Sequence, residues 1–377
     1  MQPERDIQLA PLTTFRLGGK VRYFVDAHTD DDVISAVKWA KDAHVSEVFL
    51  LGGGSNLVVA DTPLSGLVIR CHQKGIELEE HGEKVTLRAA AGETWDDFVR
   101  YSVERDCAGL ECLSGIPGSV GATPIQNVGA YGQEVAQTIS KVTVFDTIRF
   151  EQRTFSKEEC TFGYRNSRFK HLEPNRYIIL NVEFILRRGS PAPVRHAELS
   201  AVLQAQNIDA LTPQQIRACV LSVRARKSML LNPEDPFARS AGSFFVNPIV
   251  SKEQAAKVRG KRPNLSMPSW DMVDHTVKLA AAWLIENAGF KKGFRVGNVG
   301  LSPHHCLVIV AHERAEAIEV ITFAQQIRRE VFEQFGVMLS AEPRFWGFER
   351  YESELPELDG NGPVTLGSAP CPPTTRV

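Results

Sequence analysis

Long apolar runs are absent from the 377-residue chain. Nothing approaches the roughly 18 consecutive apolar residues that a membrane-spanning helix needs, so no membrane partner is expected. The opening residues, MQPERDIQLAPLTTF, hold no basic segment followed by an apolar one, so no secretory leader is expected either. Charge of one sign is also missing: 43 Lys and Arg stand against 45 Asp and Glu, a formal net charge of −2. So weak a field excludes bulk recruitment of nucleic acid or of an anionic membrane. A polyanionic substrate must then be held by a few placed cations. Paired cysteines are lacking as well. The seven (Cys71, Cys107, Cys112, Cys160, Cys219, Cys306 and Cys371) are odd in number and show no C-x-x-C spacing. That argues against a disulfide framework and a structural zinc site, and fits a reducing, cytoplasmic compartment. There is no internal repeat.

Apolar residues make up 43% of the chain, enough to bury two or three cores. Helical spacing behind an acidic first turn predicts a helix over 30–44. Short strands are expected at 47–51, 57–60, 67–71, 84–89, 141–145 and 177–186. Helices are expected at 94–105, 196–206 and 213–226, with 187–192 (RRGSPA) as a linker. Further on, 243–246 and 306–310 read as strands, and 278–288 and 315–335 as helices. The last carries Ile318, Ile321, Phe323, Ile327, Val331 and Phe332 in amphipathic spacing. Residues 353–377, rich in Pro, Gly and Ser without periodicity, read as a disordered tail. The pattern is α+β, not a regular βαβ alternation.

Two glycine clusters stand out. Gly52-Gly53-Gly54-Ser55-Asn56 directly follows an apolar strand. Such a turn lets backbone approach a ligand closely, and its successive amides form a nest suited to pyrophosphate. A second strand follows instead of a helix, so this is not the dinucleotide fingerprint of a Rossmann unit. An ordinary glycine-rich hairpin would read the same way. The second cluster, residues 115–132, holds five glycines in eighteen residues and no charge. An uncharged, partly apolar stretch of this kind suits packing against a large flat cofactor, although a long structural loop is the plainer reading. Two such clusters about sixty residues apart suggest one extended cofactor lying across both.

GGGSN followed by GLECLSGIPGSVGATPIQNVGAYG resembles the FAD-binding domain of the UDP-N-acetylenolpyruvoylglucosamine reductase (UDP-N-acetylmuramate dehydrogenase) family. Its flavin fold is of the vanillyl-alcohol oxidase/PCMH type. The resemblance continues through FGYRNSRFK at 162–170, AGSFFVNP at 241–248, KLAAAWLI at 278–285 and LSAEPRFWG at 339–347, and so covers about residues 12–348 in order. Three departures stand against it. Pro343 replaces the more usual Val, and Asn166 the usual Asp, while the extra loop that brings a substrate-contacting tyrosine in some members is not found.

The resemblance implies an α+β fold: a two-lobed FAD-binding domain (1–70 and 71–190) plus a C-terminal α+β substrate-binding domain (200–350). It implies NADPH-dependent reduction of UDP-N-acetylglucosamine enolpyruvate through bound FAD, a step of cell-wall precursor synthesis. Arg165, Ser243 and Glu342 match the catalytic positions, with Ser243 the proton donor, Gly242 allowing close approach, and Phe244 and Phe245 excluding water. FAD contacts would come from Gly52, Gly53, Gly54, Ser55, Asn56, Gly115, Ile116, Pro117, Gly118, Ser119, Gly121, Ala122, Gln126, Asn127, Gly129, Ala130, Tyr131 and Gly132. Substrate contacts would come from Tyr164, Arg165, Lys227 and Asn247. Taken without the motifs, Ser243 reads as a turn serine, Arg165 and Glu342 as salt-bridge partners, and Lys227 as a solvated helix end. His304, His305 and His312 are not expected to bind a metal, because adjacent histidines rarely share one and no carboxylates frame them. The expected partner is a nucleotide sugar, with no nucleic acid, and the expected form is a monomer. A sugar or alcohol oxidase on the same fold would have no need of GSFF, Asn247 or the Glu342 element, and a non-enzymatic flavin binder should have lost Arg165, Ser243 or Glu342.

Overall fold

The computed structural model describes residues 1–189, 191, 193, 194, 196–205, 211–348, 364 and 365. Strands Lys20–Ala27, Leu64–Cys71 and Glu47–Leu51 lie side by side in parallel, with Glu4–Gln8 antiparallel along one edge. Helix Asp30–Asp42 starts on a reciprocal cap between Thr29 and Asp32, with three aspartates complementing its positive end. Val33, Ala36, Val37 and Ala40 recur at helical spacing and are buried. They share a core with Val25, Leu67 and Ile69 of this sheet and with Phe145, Ile178 and Leu180 of the next.

The second sheet is antiparallel, in the order Glu151–Ser156, Ile139–Asp146, Tyr177–Arg188, Lys84–Ala90, Ile76–His81. Helix Trp95–Val103 covers it through Trp95, Phe98, Val99 and Val103, and the Phe98 ring lies 4.9 Å from that of Phe184. The C-terminal region centres on helix Ala317–Phe335, which ends at Gly336 with φ of 65°, the left-handed cap that glycine adopts cheaply. Strand Arg344–Trp346 then leaves this region and pairs in parallel with Leu57–Val59 of the N-terminal region. Phe15, Leu17, Val58 and Ala60 accordingly lie in the same core as residues 241–348.

The fold is α+β, as expected, but several elements differ from the sequence reading. The helix expected over 278–288 divides into strand Thr276–Leu279 and helix Ala281–Asn287. Val277 and Leu279 alternate inward as a strand requires, while Asn247 Oδ1 accepts from Ala281 N–H at 2.9 Å and so caps the helix from outside. Residues 243–246 form no continuous strand; Ser243 bridges Val308 and Phe245 bridges Ala341, because Gly242 turns the backbone at φ of 69°. The strand expected at 306–310 runs instead over Ile309–Ala311. Phe332 is 49% exposed, one residue past the buried stripe that Ile327, Val331 and Phe335 define. Arg187 and Arg188 are not linker but strand, paired with Lys84, Ala108 and Cys107. Most of the expected tail, 353–377, lies outside the described residues; Val364 and Thr365 within it pair antiparallel with Glu47–Leu51.

Candidate active site

The two glycine clusters meet. The Gly52–Asn56 turn joins strands Glu47–Leu51 and Leu57–Val59, and its backbone lies directly on Gly118. A Cβ at Gly53 would stand 2.8 Å from Gly118 Cα, and one at Gly54, where φ is +63°, would stand 2.0 Å from Leu12 O. Neither contact is open to any other residue. Ser55 Oγ donates to Pro117 O at 3.1 Å and ties the two turns together.

Both turns line one cleft of about 420 Å³. Arg165, Ser243 and Glu342 line the same cleft, as do Ala122, Gln126, Gly129, Ala130, Tyr131 and Lys227. Glu342 is placed by the strand exchange: its N–H donates to Phe244 O at 2.8 Å, its carbonyl accepts from Asn56 Nδ2 at 3.2 Å, and Arg344 N–H donates to Asn56 O at 3.0 Å. Its carboxylate oxygen Oε1 accepts from Gln126 Nε2 at 3.2 Å and lies 3.2 Å from Arg165 Nε. Arg165 occupies the left-handed region, φ 52°, in the turn between Gly163 and Asn166. Its Nη2 donates to Gly129 O at 2.8 Å. Its buried Nε faces Glu342 closely enough for charge attraction but without hydrogen-bond alignment, so this N–H has no accepting partner. This donor of the guanidinium is thus held against the Glu342 carboxylate by charge alone.

Phe244 and Phe245 are fully buried in the C-terminal core, with their rings 5.2 Å apart, and anchor Ser243 without lining the cleft. Tyr164 and Asn247 do not line the cleft. Burial pushes the Tyr164 phenol up, offset partly by Arg165, and Lys278 Nζ lies 4.6 Å from its ring centroid. Gly115 opens onto a neighbouring cleft that Gly52, Gly53 and 116–119 also line. Gly121 backs onto Ala91. Asn127 is buried, with Nδ2 donating to Glu134 Oε2 at 2.8 Å and to Gly163 O at 2.9 Å, and like Gly121 and Gly132 it does not line the cleft.

Arg224, His196, His305 and Glu198 are among the cleft residues that sequence reasoning did not assign to the site. Arg224 is buried, donating from Nε to Gly115 O at 3.1 Å and from Nη2 to Met229 O at 2.8 Å; burial pulls its pKa down. His196 meets the Tyr131 ring edge-on at 5.1 Å and is held below the usual imidazole range by burial. His305 is pushed down to about 4, chiefly by burial and then by Lys227 and Lys292. Glu198 pairs with Lys227 at 2.5 Å. Only the RARK run around Arg224 carried a signal in the sequence.

The lining fits FAD. One wall is built of glycine turns whose contact a Cβ would fill, neither turn holds a carboxylate, and Arg224 adds a fixed positive charge. Residues 21–147 match the family model described as FAD binding domain. Fold, cleft and match together define an FAD-dependent oxidoreductase. Residues 232–346 match the model described as UDP-N-acetylenolpyruvoylglucosamine reductase, C-terminal domain. The UDP-N-acetylenolpyruvoylglucosamine reductase of Streptomyces coelicolor is 43% identical over 91% of this chain and 90% of its own length. That of Mycobacterium tuberculosis is 39% identical over 89% and 93%. The crystal structure of the reductase from Thermus caldophilus superposes with a TM-score of 0.62 at 25% identity, covering 92% of this chain and 99% of that one. The chain belongs to the UDP-N-acetylenolpyruvoylglucosamine reductase family. Among the described residues no helix is long and apolar enough to cross a membrane.

Proposed function

We propose that this chain reduces the enolpyruvyl group of UDP-N-acetylglucosamine enolpyruvate to give UDP-N-acetylmuramate, with Arg165, Ser243 and Glu342 around the reacting carbons. The observation that carries this reading is the convergence of these three residues, from distant stretches of the chain, on the cleft lined by both glycine turns. The names of the relatives support the substrate. Bound FAD, reduced by NADPH, supplies the hydride that no side chain can carry.

The chain's own residues have three tasks. Adding hydride to an alkene conjugated to a carboxylate builds negative charge on that carboxylate. The Arg165 guanidinium lines the cleft and stabilises this charge where it develops. Among the described residues nothing hydrogen-bonds the Ser243 hydroxyl, which is free to give its proton to the strongly basic carbon. Glu342 holds the guanidinium in place and, with Gln126, orients the group that returns a proton to Ser243. Lys227 meets the diphosphate as a point charge. Tyr164 and Asn247 contact the substrate. The glycine turns, with Gln126, Ala130 and Tyr131, hold FAD.

NADPH and nucleotide take the same side of the cleft in turn, which gives ping-pong kinetics. The two lobes 1–70 and 71–190 carry the cofactor, and 200–350 carries the substrate. The enzyme works as a cytoplasmic monomer without nucleic acid. An anaerobic experiment tests the reading: the holoenzyme is bleached with one equivalent of NADPH, then mixed with the enolpyruvyl nucleotide. Return of the oxidised flavin spectrum is expected; a spectrum that stays bleached rules the substrate out.

A further inference from the structure

We propose that Glu198 is an internal competitor for the diphosphate at Lys227 and so sets how much negative charge a ligand must bring to that end of the cleft. The proposal rests on the reading of Lys227 as a diphosphate contact. Lys227 caps the C-terminal end of helix Pro213–Arg226, and Glu198 lies in the first turn of helix Ala197–Gln204. Nζ and Oε2 are 2.5 Å apart, and both residues line the cleft. The two side chains keep 25% and 40% of their surface exposed, so a ligand can reach the pair.

The surroundings leave Glu198 as the anion that Lys227 meets. Tyr131, His196 and His305 line the same stretch; desolvation raises the Tyr131 phenol and lowers both imidazoles, so none of the three adds an anion beside Lys227. An ammonium group is a compact point charge, and a carboxylate and a phosphate on it repel each other. Diphosphate binding must therefore weaken the Glu198 pair. A doubly charged diphosphate outcompetes one carboxylate, whereas a neutral or singly charged ligand gains little by doing so. Glu198 thus acts as a specificity residue that favours diphosphates and raises the concentration at which they bind.

The effect should be that of an exposed ion pair, about two- to fivefold in affinity. Titration calorimetry of UDP into FAD-loaded enzyme, beside steady-state kinetics, tests it in the wild type, E198Q, K227M and the double variant. E198Q is expected to bind UDP about two- to fivefold more tightly, with KM for the nucleotide falling by more than kcat changes. K227M is expected to weaken UDP binding, and the gain from E198Q should vanish in its background. UDP affinity unchanged by K227M sinks the Lys227 reading itself. Weaker UDP binding in K227M, with no gain or a loss in E198Q, leaves that reading standing and overturns the competitor. A gain in E198Q that persists without Lys227 overturns it too.

Discussion

Arg165 holds a left-handed backbone at φ 52°, a conformation that costs a long side chain about 1–3 kcal/mol. The fold sustains it with the bond to Gly129 O and the attraction of Glu342, and the result is one buried N–H aimed at no acceptor. A lysine keeps the charge but not the fork. R165K is therefore expected to lower kcat with the enolpyruvyl nucleotide by roughly 10²–10³-fold, the usual loss of one placed donor to a developing anion. Stopped-flow reduction by NADPH alone should be little changed. His305 gives a second test at this scale. Its folded pKa lies near 4, below the ordinary 6.5, so the unfolded chain takes up the proton first as pH falls. The stability its neutral form contributes is complete above about pH 6.5 and is lost as pH drops toward 4. Melting temperatures measured across that window should fall less steeply in H305N than in the wild type.

At the scale of elements, what the sequence made legible was the turn chemistry. Three consecutive glycines after EVFLL announced a backbone approach, and Gly53 does lie on Gly118. G53A forces the two turns apart and is expected to weaken FAD binding at least about tenfold, the equivalent of 1.4 kcal/mol. Retention of flavin absorbance through gel filtration, with circular dichroism as the fold control, checks this. Other elements were illegible because their order depends on distant partners. Residues 276–279 pair with Ile249–Ser251 and Ser269–Asp271, and that pairing draws Lys278 and Leu279 out of the expected helix into a strand. His196 and Glu198 lie just after a stretch that reads as linker, and nothing local says that their helix stands at the cleft. Asn247 was expected to contact substrate, but nothing in the sequence announced its bond to Ala281 N–H, which spends its oxygen on a helix start.

Over the whole molecule, strand Arg344–Trp346 begins just beyond Glu342 and ties the C-terminal region to the N-terminal one. Trp346 is 3% exposed and lies 4.9 Å from Phe49 ring to ring, in the N-terminal core. W346A is expected to cost about 3–5 kcal/mol of stability, the range for a deleted core aromatic. Urea unfolding measures that loss, and kcat should fall with it because Glu342 loses its anchor. This exchange was not legible, since three residues carry no periodic signal, whereas the α+β class followed from patterns repeated over many residues. The central claim, that the hydroxyl of Ser243 protonates the reduced alkene, is tested most directly by stopped-flow spectroscopy of S243A. Flavin reduction by NADPH should keep its wild-type rate, and reoxidation by the enolpyruvyl nucleotide should slow by about 10²-fold or more. Reoxidation at the wild-type rate would contradict it.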